Sequence, residues 1–330
     1  IEPETVVLLA KKNKISGFDS VEDLRKRYNF TSLSDFVDVF IDSTRVLVTE
    51  EDFELIMYEY LVKASSQGVC YAEILVGADL PIAFGVSLET QLKGYWKGIH
   101  KAQKYGVKIE AELILIFNRS ESEEQAISLI EQHQLLLQRK DLEGYSRVIG
   151  LGLGGNELEN PPSKFQRAFE LGKKLGYKIT IHTCEEKSVP IEYLDETLDL
   201  LKADRIDHGI NIHTNERAMK RVVEQKIGLG TSPFSNVRLK VFSDIKEFPI
   251  REYLSQGARI SVNSDDPSFF GGYIGDNYFA LGKEFGLSVE DYETLAVNSF
   301  ESSFLSEEKR ALYVKKVREC IQCIQSIEII

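Results

Sequence analysis

Five residues of this sequence have the types and positions to do chemistry. His182 and Glu185 lie in "TIHTCEE", His208 in "RIDHGI", and Asp265 and Asp266 in "SVNSDDPSFFGG". Each group stands where a short β-branched, apolar run ends, a place where a buried strand has no use for charge. Two histidines and the Asp265 carboxylate make up a ligand mix suited to zinc or a similar divalent ion. Glu185, three residues beyond His182, offers different chemistry. A carboxyl beside a metal but outside its ligand set can carry protons.

The elements that must position these groups are legible in the hydropathy pattern. Short runs at 70–76, 107–117, 147–153, 178–183, 204–209, 226–233 and 258–264 read as strands. Between them lie amphipathic stretches such as "SLETQLKGYWKGIHKAQKYG" and "SKFQRAFELGKKLG", several closed by glycine as helices are. This alternation implies a parallel sheet covered by helices. The polar residues gather at the carboxyl ends of several runs, which is the catalytic face of a (β/α)8 barrel. Seven strands are legible and a closed barrel takes eight. The first 65 residues read as extra N-terminal helices, so the first strand is expected upstream of Ile1. An open doubly wound sheet is the competing architecture. No linker or low-complexity segment divides residues 1–330, which predicts a single domain.

Composition sets further bounds. The chain has 330 residues, 43% apolar and 28% charged, with net charge −12. That charge argues against nucleic acid or an anionic membrane surface as a partner. No apolar run approaches the roughly 18–20 residues of a membrane span. Four cysteines in a chain of this length do not suggest a disulfide scaffold, and a cytoplasmic location is expected. Cys320 and Cys323 form a CxxC inside a helical pattern, without a second Cys/His pair nearby. His100, His133 and His213 are expected at the surface. Gly150, Gly152 and Gly155 satisfy G-x-G-x-x-G, yet the two prolines of "NELENPPSKF" delay the helix a dinucleotide site requires. Glycines here would instead let a flat ligand approach the backbone. Phe36 and Phe40 share one helical face and are candidates to line a pocket, as are Phe269 and Phe270.

With these blocks in view, "TIHTCEE", "RIDHGI", "SNVRLKVF" and "SVNSDDPSFFGGY" resemble those of the adenosine/adenine deaminase family of amidohydrolase-type barrels. The resemblance spans essentially the whole chain and leans toward the adenine deaminase branch through "RIDHGI" and "DPSFFGGY". It implies hydrolytic deamination of a 6-aminopurine using one zinc ion. By resemblance, His182 and Asp265 would be metal ligands, and His208 would orient the attacking water or help deprotonate it. Glu185 would protonate the purine N1, Asp266 would bond N7, and the Gly155 N–H would face N3. The family also carries an H-x-H pair on its first strand, so two further histidine ligands are expected upstream of Ile1.

Several positions depart from the family pattern. "HTCE" replaces "HAGE", "GADLP" stands where a "DPQ" turn is usual, Arg119 is followed by serine, and the turn at 154–156 is "GGN". The expected substrate is adenine, converted to hypoxanthine and ammonia. Adenosine or an N6-substituted or otherwise modified adenine is the near alternative. A catalytically degenerate homologue that binds a purine or a protein partner is the alternative of another class.

Overall fold

The structure, a computed structural model, describes residues 1–30, 33–139 and 141–327. Four helices come first: α1 (Pro3–Asn13), α2 (Val21–Arg27), α3 (Leu33–Thr44) and α4 (Glu50–Ser66). Local chemistry fixes their starts. Ser20 accepts from the Asp23 amide to cap α2, and Thr49 with Asp52 forms a capping box on α4.

Seven strands follow, each separated from the next by helical connections: β1 (Tyr71–Gly77), β2 (Glu110–Asn118), β3 (Val148–Gly154), β4 (Lys178–Thr183), β5 (Arg205–His208), β6 (Gly228–Thr231) and β7 (Arg259–Val262). All seven expected runs are strands. They form one parallel sheet in the order β1-β2-β3-β4-β5-β6-β7. Each strand pairs with its neighbour in sequence and the order never reverses. A doubly wound sheet reverses its order at a switch point, so the singly wound barrel topology holds.

Register explains the two faces. Leu153, Ile181, Ile206, Leu229 and Ile260 pair in turn across five strands and are fully enclosed. This apolar row packs against the helices. One residue further along, the opposite face carries His182, Asp207, Gly230 and Ser261 in a second paired row. Strand side chains alternate with a period of two, so this single register fixes the core and the polar interior together.

One detail of the sequence reading changes. His133 is not at the surface: it is buried, with Nε2 2.8 Å from the Tyr145 carbonyl and Nδ1 bonded to the Tyr177 hydroxyl. As the prolines of "NELENPPSKF" imply, no helix opens at the glycines of the G-x-G-x-x-G. β3 ends at Gly154, and the next helical turn begins only at Pro162. Cys320 and Cys323 are exposed on the helix Glu307–Ile327, and no described helix is long and apolar enough to cross a membrane.

Candidate active site

A cavity of about 1040 Å³ lies at the carboxyl ends of the strands and extends between β1 and β7. Its wall brings together the candidate site residues Phe36, Phe40, Gly155, His182, Glu185, His208, Asp265, Asp266, Phe269 and Phe270. β4 supplies His182, and Glu185 follows two residues after its end. β5 ends in His208, and Asp265 and Asp266 stand just beyond β7.

The backbone turns sharply at three of these strand ends. Cys184, His208 and Asp265 adopt left-handed conformations with φ of 55°, 63° and 53°. Residues with a Cβ pay roughly 1–2 kcal/mol for this region, and such strain gathers where side chains must be aimed. The aim is visible in the result. His208 Nε2 stands 3.7 Å from Glu185 Oε1 and 3.8 Å from Asp265 Oδ2. The His182 and His208 rings lie edge to face, with centroids 4.9 Å apart.

Behind His182 lies a chain of charge. Its Nδ1 is 3.4 Å from Asp207 Oδ2, and Asp207 Oδ1 is 3.4 Å from Arg205 Nε. Arg205 pairs in turn with Glu73. Burial opposes charge on the His182 imidazole, but Asp207, with help from Glu185 and Asp265, raises it to about 9. Burial likewise opposes ionisation of Asp207, but His182 and Arg205 prevail and hold it well below the usual carboxylate range. The 3.4 Å gap is longer than a normal hydrogen bond, and neither Nδ1 nor Oδ2 has another hydrogen-bond partner among the described residues, so the two groups have only each other to answer.

The Asp pair divides in its surroundings. Asp266 is pushed up to about 8, first by burial and then by the neighbouring Asp265 charge. Its backbone carbonyl accepts from the Phe269 and Phe270 amides at 2.9 and 3.0 Å. Those rings meet α3: Phe36 lies 4.9 Å from Phe270, and Phe40 lies 5.9 Å from Phe269. The aromatic wall is therefore continuous. Across the cavity Gly155 has φ +99°, and a Cβ there would stand 3.0 Å from Asn118 Oδ1.

The donor set suits a divalent ion in its chemistry: imidazole nitrogens and carboxylate oxygens on one wall, with the Asp207 carboxylate behind His182 as metal-bound histidines require. His182 and Asp265 form a partial set. Among the described residues no three His, Cys, Asp or Glu side chains stand at ligand spacing.

The sequence profile of the adenosine deaminase family matches residues 1–320. The chain belongs to the adenosine deaminase family. Adenine deaminase of Wolinella succinogenes is 37% identical over 318 residues, which is 96% of this chain and 93% of that protein. The crystal structure of adenine deaminase from Arthrobacter aurescens superposes with a TM-score of 0.90 at 35% identity, covering 97% of this chain and 95% of the other. An amidohydrolase from Burkholderia ambifaria with bound zinc shares the fold, with a TM-score of 0.87 at 20% identity over 99% of this chain and 88% of that one. Membership in the deaminase family makes the chain a hydrolase of C–N bonds, in a family that is generally metal-dependent.

Four residues around this deaminase site went unassigned in the sequence. Asp207 and Arg205 had a signal, since charges at alternate positions of a strand imply a polar interior face. Arg119 was marked only as a position of the family pattern, without a role, and Glu157 had no signal. Each lies just past a strand, where a charge ordinarily meets water, yet both are enclosed.

Proposed function

We propose that this chain hydrolyses the 6-amino group of adenine, giving hypoxanthine and ammonia, with one zinc ion per chain. The observation that carries this reading is the convergence of His182, Glu185, His208, Asp265 and Asp266 on one cavity. Near full-length similarity to adenine deaminases supports the choice of substrate. His182 and Asp265 would hold the zinc, with two further histidines expected from a strand outside these 330 residues. Zinc supplies Lewis acidity that lowers the pKa of water.

The protein's own groups account for the rest. His208, between Glu185 and Asp265, orients the attacking water toward C6. Glu185 delivers a proton to N1 as the C6–O bond forms. Of the water's two protons one returns to Glu185 and the other passes to the amino group, which leaves as ammonia as the C6–N6 bond breaks and the 6-oxo group forms. Asp266, which burial and the Asp265 charge favour in its protonated form, donates to N7. The Gly155 amide faces N3 from a backbone at φ +99°, a conformation that favours glycine. The phenylalanine wall excludes water from the ring.

The cavity lining also favours an uncharged purine over a nucleotide. Among the described residues its only lysine and arginine side chains are Arg205, committed to Glu73, and Lys316. Neither is a free phosphate ligand beside the strand ends: Lys316 stands over the Tyr313 ring. An ultraviolet assay of the full-length zinc-loaded protein on adenine, adenosine, N6-methyladenine and AMP tests the reading. Adenine is expected to turn over best and AMP not at all. A metal-loaded protein inert on every aminopurine would sink it.

A further inference from the structure

Arg119 and Glu157 are 0% and 1% exposed, and neither lines the cavity. Buried charge is costly unless the surroundings use it. Here both groups are spent on the end of β4. Arg119 Nη1 donates to the Asn160 carbonyl at 2.9 Å, and its Nη2 bonds the carbonyl of His182. The guanidinium stands 3.9 Å from Glu157. Glu157 then accepts from two consecutive amides, Cys184 N–H at 2.9 Å and Glu185 N–H at 3.0 Å.

Asn211 grips the same segment from the other side. Its Nδ2 donates to the Glu185 carbonyl at 2.9 Å, and its amide donates to the Cys184 carbonyl at 3.0 Å. The peptide units on both sides of Glu185 are therefore fixed, immediately after the left-handed Cys184. Only a carboxylate offers two acceptor oxygens to two N–H groups, since an amide would turn a donor toward one of them.

We propose that Glu157, balanced by Arg119 and opposed by Asn211, is a positioning residue that aims the Glu185 side chain at the reacting purine. The inference rests on the reading of Glu185 as proton donor, and its test separates the two. In full-length zinc-loaded protein, Glu157→Gln is expected to lower kcat about 100-fold, the loss that follows a misplacement near 1 Å. KM and zinc content stay unchanged. Asn211→Leu, which strands no buried charge, is expected to lower kcat in the same way and decides the matter if Glu157→Gln does not fold. In a Glu185→Gln background, neither change is expected to reduce kcat further, because each acts through the side chain already lost.

Should Glu185→Gln alone retain wild-type kcat, the proton-donor reading falls and the inference with it. Should Glu185→Gln cripple turnover while folded Glu157→Gln and Asn211→Leu keep wild-type kcat, the positioning role alone is overturned. An equal further loss in the Glu185→Gln background would also overturn it, since the effect would then be independent of that side chain.

Discussion

Gly155→Ala tests the substrate wall with an internal control. The position has φ +99°, so any L-residue meets left-handed strain, about 1–2 kcal/mol. The new Cβ would also stand 3.0 Å from Asn118 Oδ1, which accepts from the Ser120 amide at 3.0 Å. Asn118 must yield by a few tenths of an ångström, and losing that hydrogen bond adds about 1 kcal/mol. The expected destabilisation is therefore about 2–3 kcal/mol, the sum of strain and the lost bond. Gly176→Ala supplies the comparison: φ is +90° and nothing lies within 4 Å of its Cβ. It should lose only the strain, about 1–2 kcal/mol in urea denaturation. Steady-state kinetics separates the two further. A methyl group that holds the purine off the backbone should cost roughly ten- to hundredfold in kcat/KM. Gly176→Ala, far from the cavity, should leave kcat/KM alone. Equal stability losses and an unchanged kcat/KM for Gly155→Ala would refute both the crowding and the close approach of substrate.

Asp207→Asn removes the carboxylate behind His182, and chelator competition on the full-length protein should show zinc affinity reduced about 10–100-fold; unchanged affinity would remove Asp207 from the metal's support. At Asp52, burial opposes ionisation. Even so, Lys12, the Thr49 and Val48 amides and Asn13 hold its carboxyl below the ordinary 3.8. A depressed folded value means that the unfolded chain binds the proton more readily. The contribution is present above pH 3.8 and lost as pH falls through the folded value. Asp52→Asn should flatten that acid limb of an unfolding-versus-pH curve, and an unaltered limb would contradict the assignment.

Much of the architecture was legible because its signals are local. Short β-branched, apolar runs mark all seven strands, and polar residues at their ends mark the site. His133 was misread although the signal was present. Ala126, Leu129, Ile130 and Leu136 are buried beside it on one helical face. A polar residue inside that stripe belongs to the core and needs bonding partners, here Tyr145 and Tyr177. Arg119 and Glu157 were beyond local reading. Their burial arises from the meeting of the segments after β2, β3 and β4, which no periodicity in any one of them encodes.

Among the described residues seven non-glycine positions adopt left-handed backbone, and four are lysines that follow helices, where the strain ends an element. The other three are Cys184, His208 and Asp265. Effort to make this protein withstand heat would be drawn to those three positions, because glycine there relieves strain and raises the melting temperature. At His208 and Asp265 the same change erases an imidazole and a carboxylate. Selection for robustness alone would thus dismantle the enzyme from its strand ends inward, while selection for turnover keeps it less stable than its sheet would allow.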